Sequence, residues 1–443
     1  MKIFKYYILV CIVTVPYLFA STPDSLAAVK EEKFIVDSIL ISGNDITEPG
    51  IILRELTFSE GDTISAGMLP FNRERIYSLG LFSKVTVSRE KKQIKNLVLI
   101  DVAESWYIYP LPVVNLENSS FDKASYGFNI LYKNFRGRNE TINTYVTFGY
   151  DPTISLQYYV PVLVDESNIS MSTRAYYMTS QNKSPAAEKL IGKEFDNKFI
   201  YYELVFGKRL DIYNTIFLSG SYRYVEAKAD VNFNLLPGIS KLTRYPSLGM
   251  AYELDTRDLK QFPGEGYYIT GQWIYNGFGL KDIDYNVLKV DYREYRHVTK
   301  KILTKWRLLG RHSFGSNIPF FDKSYFGYDE IVRGHKDDVR EGNNYILSSI
   351  EVKYPLVEEW DFSIKLPLLP RKLTSARIAI YVEGFGDTGL TFNNNDKLRL
   401  KDLYSGYGAG LTFLFLPYNA ARIAYAINEY KKGEIIFGTG FSF

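Results

Sequence analysis

Few side chains in this sequence are equipped for bond-making chemistry. The histidines are His297, His312 and His335, and no spacing among them suits zinc. No Ser–His pairing stands out as a nucleophile with its base, and the one cysteine, Cys11, lies in an N-terminal apolar stretch. No catalytic residue, cofactor site or metal site is therefore assigned. The residues that remain are suited to holding. Val332-Arg333-Gly334-His335 sits in a long polar stretch, between segments that end near Phe314 and begin again near Tyr345. A planar guanidinium binds a carboxylate through two parallel hydrogen bonds, which locks a loop tip far better than a lysine does. Gly334 lets the backbone turn sharply beside a wall. A second constellation, Asp255-Thr256-Arg257-Asp258 followed by Pro263 and Gly266, describes a structured turn. Proline fixes φ, glycine accepts positive φ, and the Asp/Arg group can bond the turn backbone and one another.

The elements that position these groups begin after a leader. Lys2 and Lys5 precede an apolar stretch from Tyr6 to Ala20, and Ser25-Leu26-Ala27 is a small-x-small cleavage site, so residues 1–27 read as a secretory signal. Its roughly fifteen apolar residues are too few to span a bilayer core as a helix, which takes about 20. Val10 stands before Cys11 where a lipoprotein signal wants Gly or Ala, so the cysteine reads as part of a discarded peptide. The mature chain then has no thiol for a disulfide or a thiolate metal site. Lys+Arg 53 against Asp+Glu 50 gives a net charge of +3, which makes no electrostatic case for nucleic acid. No apolar run long enough for a helical span follows the leader. A composition that is 16% aromatic, with Tyr 37 and Phe 29 against Trp 4, suits instead a barrel with aromatics at both membrane interfaces.

Residues 33–104 have a texture of their own. Phe34 to Ser42 is β-branched and apolar and closes on a Gly43-Asn44 turn. Thr47 reads as a helix N-cap with Glu48 and Pro49 in the first turn, and Ile52, Leu53 and Leu56 follow at helical spacing. A second helix is predicted over Met68–Leu79, with Gly80 placed to end it in a left-handed conformation. Lys84 to Arg89 alternates, and Leu97 to Val102 reads as a strand buried on both sides. The predicted order is β-α-α-β-β.

From Trp106 to the C-terminus, residues 106–443, short segments alternate with turns. Ile142, Val146, Phe148 and Tyr150 oppose Thr141, Asn143 and Thr147; Ile269, Trp273 and Tyr275 share a side with Gly271; Ile378, Ile380 and Val382 oppose Arg377 and Glu383. Period-two alternation with a polar inner row is what a lipid-facing wall around a lumen requires. About sixteen such segments, each near the ~10 residues of a tilted membrane strand, predict a closed transmembrane antiparallel β-barrel. The final segment puts Ile435, Phe437, Thr439, Phe441 and Phe443 on one face. The expected fold is thus mainly β, a barrel preceded by one small βααββ domain.

Several strings carry a family resemblance. Ile41-Ser42-Gly43-Asn44, Arg54-Glu55-Leu56, Glu60-Gly61-Asp62 and Leu79-Gly80-Leu81-Phe82 with Val85 and Val87 resemble a POTRA (polypeptide-transport-associated) domain. Such domains stand before the barrels of the BamA/TamA outer-membrane assembly family. The terminal aromatic resembles the recognition signal of bacterial outer-membrane barrels, carried here by Phe437, Phe441 and Phe443, and the 255–266 turn resembles one found repeatedly in the family. Val332-Arg333-Gly334-His335 is similar to a Val-Arg-Gly-aromatic tip on a long extracellular loop folded into the lumen, with His335 where an aromatic is usual. That resemblance implies an acidic partner for Arg333 on the inner wall. Glu351 and Glu383 face inward by parity and Asp387 is close in sequence, although Tyr381-Val382-Glu383-Gly384-Phe385 carries Glu for the usual Asp and Phe for the usual Gly.

The resemblance implies a bacterial outer-membrane location, with the small domain in the periplasm, and a role in inserting outer-membrane proteins or translocating polypeptides. Its partners would be unfolded outer-membrane or secreted chains, periplasmic or lipoprotein partners at the POTRA-like domain, and outer-membrane lipid. A client strand would pair with the small domain and then meet the seam between the first and last barrel strands, near 107–115 and 434–443. Only one POTRA-like unit fits before the barrel, and no plug helix. The alternatives are a passive outer-membrane pore, for which the leading domain and a plugging loop have no use, and a hydrolase with its site on the barrel rim.

Overall fold

The structure is a computed structural model that describes residues 32–116, 121–164, 167–228, 240–280, 283–316, 318–327, 329–336, 338–364, 374–417 and 419–439. The expected leader over 1–27, with Cys11, and the terminal Phe441 and Phe443 lie outside the described residues.

The N-terminal module runs β1 (Lys33–Ile35), β2 (Ser38–Ser42), α1 (Pro49–Leu53), β3 (Thr63–Ser65), α2 (Met68–Tyr77), β4 (Phe82–Lys92) and β5 (Lys95–Glu104). Its sheet has the order β2-β5-β4, with β2 parallel and β4 antiparallel to β5. Val36, Ile52, Ile76, Leu81, Val98 and Ile100 are buried in the core between this sheet and the helices. Four local expectations are corrected. The strand expected over 34–42 is two strands, because Val36 turns to bond Gly61 and Asp62 and β1 pairs with β3. Thr47 is not the cap of α1; Glu48 takes that position without a side-chain bond, and Pro49 starts the helix. The second helix ends at Tyr77 rather than Leu79, and Gly80 follows at φ +67°. β5 is not buried on both sides, since Val98, Ile100 and Val102 point in while Leu97 and Leu99 are half-buried.

The barrel is one sixteen-stranded sheet. Its strands are β6 (Ile108–Leu116), β7 (Ala124–Phe135), β8 (Glu140–Gly149), β9 (Thr153–Val160), β10 (Ile169–Gln181), β11 (Asp196–Arg209), β12 (Asn214–Lys228) and β13 (Leu242–Asp255), with helix α3 (Pro185–Ile191) between β10 and β11. They continue as β14 (Gly266–Leu280), β15 (Ile283–His297), β16 (Leu303–Ser316), β19 (Asn344–Ser363), β20 (Ser375–Phe392), β21 (Tyr404–Leu416), β22 (Asn419–Asn428) and β23 (Gly433–Thr439). Sequence neighbours pair antiparallel throughout, and the β16–β19 connection carries the small hairpin β17 (Ser324–Phe326) and β18 (Arg340–Gly342). Among the described residues no pairing joins β23 to β6, the two ends of the sheet order.

The alternation in the sequence becomes two surfaces. Along β13, Thr243, Tyr245 and Ser247 are buried while Leu242, Leu248 and Met250 are exposed. Phe128, Leu156, Leu218, Trp273, Val290 and Ile346 extend the exposed apolar face around the wall. In water such a continuous patch would drive aggregation, whereas hydrocarbon accepts it. No described helix is long and apolar enough to cross a membrane.

The module sits against the barrel's near rim. Leu81, Phe82 and Tyr77 share one apolar cluster with Leu259, Phe262, Leu303, Tyr381, Leu414 and Leu416. Polar contacts reach four turns and the foot of β20. Glu48 N–H donates to the Gly137 carbonyl, Arg54 to that of Pro161, Arg75 to that of Ile212, and Lys260 N–H to Ser78 Oγ. Arg377 meets Glu74 at 2.7 Å, and Arg209 and Arg75 each meet Glu55 at 2.9 Å. Thr47 earns its place here: its N–H and hydroxyl donate to Glu104 Oε1 at 2.7 and 2.8 Å, and Asn134 Nδ2 donates to its oxygen at 2.9 Å. Burial works to raise the Glu104 pKa, but these N–H and O–H donors outweigh it and hold the carboxyl below its ordinary value.

Candidate functional site

The segment between β16 and β19 folds into the barrel instead of standing off it. Three sets of charges fasten it to the wall. Asp322 accepts from Arg223 at 2.9 Å and from the Tyr285 hydroxyl at 2.5 Å. Arg307 bridges Glu330 at 3.0 Å and Asp291 at 2.9 Å. At the apex, Arg333 is 4% exposed. Its Nε and Nη2 donate to the two oxygens of Asp387 at 2.6 and 2.7 Å, Nη1 to Glu351 Oε1 at 2.9 Å, and Nη2 also to Ser349 Oγ at 3.1 Å. The guanidinium carbon lies 3.8 Å from the Phe385 ring centroid. Phe385, a departure from the family pattern, thus supplies a face on which the cation stacks.

Of the three acidic candidates named from the sequence, the structure brings Asp387 and Glu351 onto Arg333. Glu383 engages Arg422 at 2.8 Å and accepts from Thr412 at 2.9 Å. Glu351 also lies 3.2 Å from Lys353 and 3.6 Å from Lys305, so the carboxylates sit in a shared cationic frame. Isolated charges cost several kcal/mol each when buried, and mutual pairing with satisfied hydrogen bonds is what makes such a cluster tolerable. Val332 packs with Leu309, Phe326, Tyr345, Leu347 and Tyr404. Gly334 takes φ +101°, a conformation that side-chain-bearing residues rarely adopt. His335 Nδ1 lies 2.8 Å from Asp338 and its Nε2 lies 2.6 Å from Glu429.

Sequence reasoning missed Asp322 and Glu330. A signal was present: Arg223 on β12 and Arg307 and Arg311 on β16 are inward-facing cations, and a buried arginine demands an acidic partner. The connecting loop is the segment that carries both acids.

The 255–266 turn is a docking element. Arg257 grips Asp255 through Nε at 2.8 Å and Nη2 at 3.0 Å. Asp258 Oδ1 gathers the N–H groups of Leu259, Gly264 and Glu265 around Pro263, at 2.8, 3.0 and 3.3 Å. Gly266 has φ +109°, and a Cβ there would fall 2.4 Å from the Thr256 carbonyl oxygen. The arrangement presents Leu259 and Phe262 to the module. Burial pushes the Asp258 carboxyl up to about 6 against the pull of its three donors. A raised acid contributes stability fully present below its unfolded value near 3.8 and lost as the pH climbs through about 6. Asp258→Asn is therefore expected to abolish a fall in melting temperature that the wild type shows between about pH 4 and pH 7. An equal fall in both proteins would contradict this.

Cavities border these charged groups. A polar one of about 570 Å³ lies between the loop and the inner wall, lined by Tyr176, Asn197, Glu203, Arg223, Lys289 and Arg311 among others. A cleft of about 220 Å³ lies where the module meets the rim, beside Arg54, Glu55, Arg209 and Lys260. Among the described residues no group of three or more His, Cys, Asp or Glu is placed to hold a metal. His312 meets Asn344 at 2.7 Å. The geometry built here is that of a charged clamp on a loop.

Comparison with known proteins agrees with this architecture. Residues 134–443 match the family model described as the Omp85 superfamily domain, and residues 34–105 match the POTRA model, a surface antigen variable number repeat. The outer membrane protein assembly factor BamA of Neorickettsia risticii (strain Illinois) is 23% identical over 431 residues, covering 92% of this chain and 54% of that protein. BamA of Nitratidesulfovibrio vulgaris is 20% identical over 323 residues, covering 69% of this chain and 38% of that one. The chain thus spans about half or less of the length of these curated relatives. Among solved structures, BamA from Haemophilus ducreyi lacking POTRA domains 1–3 superposes with a TM-score of 0.54 at 16% identity, over 92% of this chain and 83% of that one. CdiB from Escherichia coli superposes with a TM-score of 0.52 at 12% identity, over 96% and 93%. At these identities the superpositions speak for the fold.

Proposed function

Since the chain belongs to the Omp85 superfamily, we propose that it assembles proteins into the bacterial outer membrane or passes polypeptides across it, as a handler of chains rather than a catalyst. The module would stand in the periplasm with the barrel in the membrane. The observation that carries this reading is the joining of a sixteen-stranded Omp85 barrel, whose sheet order runs from β6 to β23, to a module that has strand edges of its own. A strand edge bonds an extended chain through main-chain groups, largely regardless of sequence. On the module, β2 and β4 are the edge strands, and β2 is partly occupied, since Glu60 accepts from Ile39 N–H at 2.8 Å. β4, which meets β20 of the barrel, is the other edge at which a client or a periplasmic or lipoprotein partner would dock. At the seam the same bonding would template a client's strands or guide it outward, against outer-membrane lipid.

A passive pore fits the same barrel less well. The loop is fastened inside the barrel by buried ion pairs and the module is docked on the rim, and a passive pore needs neither. Depletion of the protein, followed by a census of outer-membrane and secreted proteins, tests the proposal. Selective loss of a subset of those proteins is expected. Loss of small-solute uptake alone, with the census unchanged, would overturn it in favour of the pore.

A further inference from the structure

The cavity of about 570 Å³ between the loop and the inner wall falls within the roughly 300–1,000 Å³ that small-molecule sites occupy. It lies at the end of the barrel away from the module. Ser180, Gln181 and Asn182, where β10 runs toward α3, belong to its lining, whereas the module touches turns at the opposite ends of the strands. Tyr177, Ile200, Leu218 and Leu248, chain neighbours of lining residues, are exposed on the outer wall. The strands thus separate the cavity from lipid, and a ligand reaches it from the aqueous side.

The lining asks for a negative charge. It carries Lys183, Arg223, Lys289, Arg311 and Lys323 against Glu203, Asp322 and Asp329, an excess of two cations. The acids are shared or engaged. Asp322 serves both Arg223 at 2.9 Å and Arg311 at 3.4 Å, Glu203 meets Arg174 at 3.5 Å, and Asp329 accepts from the Tyr325 N–H at 3.0 Å. Lys289 reaches Glu330 only at 3.8 Å, and Arg307 holds that carboxylate at 3.0 Å. Lys289 is the cross-strand neighbour of Arg311, so these cations stand together. A phosphate monoester, with a charge of about −1.5 to −2 at pH 7, matches the excess.

The lining also asks for hydroxyl donors. Asn197 is 2% exposed, shares an inward row with Phe199 and Tyr201, and its Oδ1 has no donor among the described residues. A buried acceptor left unpaired costs free energy that a ligand hydroxyl would recover. Ser219, Ser221 and Gln272 extend the polar wall, while Tyr176, Phe199 and Tyr201 supply aromatic surface. A sugar ring offers hydroxyls to the first set and an apolar C–H face to the second.

We propose that this cavity binds a phosphorylated sugar from the aqueous medium on the side opposite the module, with Lys289, Arg223 and Arg311 toward the phosphate and Asn197 toward a ring hydroxyl. Arg223 and Arg311 also fasten the loop through Asp322, so Lys289 and Asn197 are the residues that test the site without releasing it.

Isothermal titration calorimetry on the full-length protein in lipid nanodiscs, with glucose 6-phosphate as the probe, makes the test. Saturable binding is expected, at least roughly tenfold tighter than that of inorganic phosphate or of glucose, each of which carries half of the recognition. Lys289→Met and Asn197→Leu are each expected to weaken it about tenfold, and Lys289→Arg to keep it. Heat-modifiable migration on gels checks that each barrel is folded. Should Lys289→Met not fold, Gln272→Leu takes its place, since Gln272 lies beside Lys289 across β14 and β15. The absence of saturable binding would overturn the proposal. So would equal affinity for glucose 6-phosphate and inorganic phosphate, which would make the site one for an anion only, or unchanged affinity in the folded variants. None of these outcomes bears on the depletion census, because no client is present.

Discussion

Arg333→Ala is expected to reduce client assembly to near background, and Arg333→Lys to recover little of it. Removing the guanidinium takes from buried Asp387 the cation that grips both its oxygens, and leaves buried Glu351 to Lys353 and Lys305 alone beside an empty space. Breaking a buried pair from one side typically costs about 3–5 kcal/mol. That is enough to release a loop apex whose seat depends on this side chain. Lysine replaces a planar fork with a point charge, so it cannot hold both Asp387 oxygens, Glu351 and Ser349 while lying flat on Phe385. The measurement is complementation of a depleted strain, paired with maleimide labelling of a Val332→Cys probe that is shielded when the loop is seated. Full complementation by both variants would remove Arg333 from the account.

Gly406→Val is expected to give the same loss with every charge left in place. A Cβ at Gly406 on β21 would fall 1.8 Å from the Arg333 carbonyl oxygen and 3.6 Å from Gly334 Cα. Contact closer than 3 Å to backbone has no flexible side chain to yield, so the apex must lift from the wall. Heat-modifiable migration on gels would show that the barrel still closes, and Val332→Cys labelling would show the loop unseated. If Gly406→Val complements fully while the label reports a displaced loop, then loop seating is dispensable and the clamp is structural only.

Much of this architecture was legible because period-two alternation is a local signal. Inward parity at Arg377, Glu383 and Glu351 follows directly from counting by twos, and so does the outward run of Ile378, Ile380 and Val382. The family resemblance and the sixteen-stranded barrel are borne out. What was not legible is non-local. Nothing near Thr47 says that its hydroxyl is taken by Glu104 and Asn134, so its propensity for a cap misled. The split of 34–42 into two strands depends on Gly61 and Asp62, some twenty-five residues on. The 255–266 turn looked self-sufficient, and its use as a dock appears only once Leu259 and Phe262 meet the module. Resemblance pointed to a partner for Arg333 but not to which one, because Glu351, Glu383 and Asp387 all satisfy inward parity or proximity. Only the register of β19 against β20, Ser349↔Asp387 and Glu351↔Phe385, separates them.

The central claim is that clients pass along the junction of the first and last strands. Photo-crosslinking amino acids placed one at a time at Val114 on β6, Ile435 on β23 and Met250 on β13 test it during active assembly, since all three side chains are exposed on the outer wall. Strong client adducts at Val114 and Ile435, with little at Met250, are the predicted result. Adducts of equal strength at all three, or none at either end strand while clients are being assembled, would contradict it.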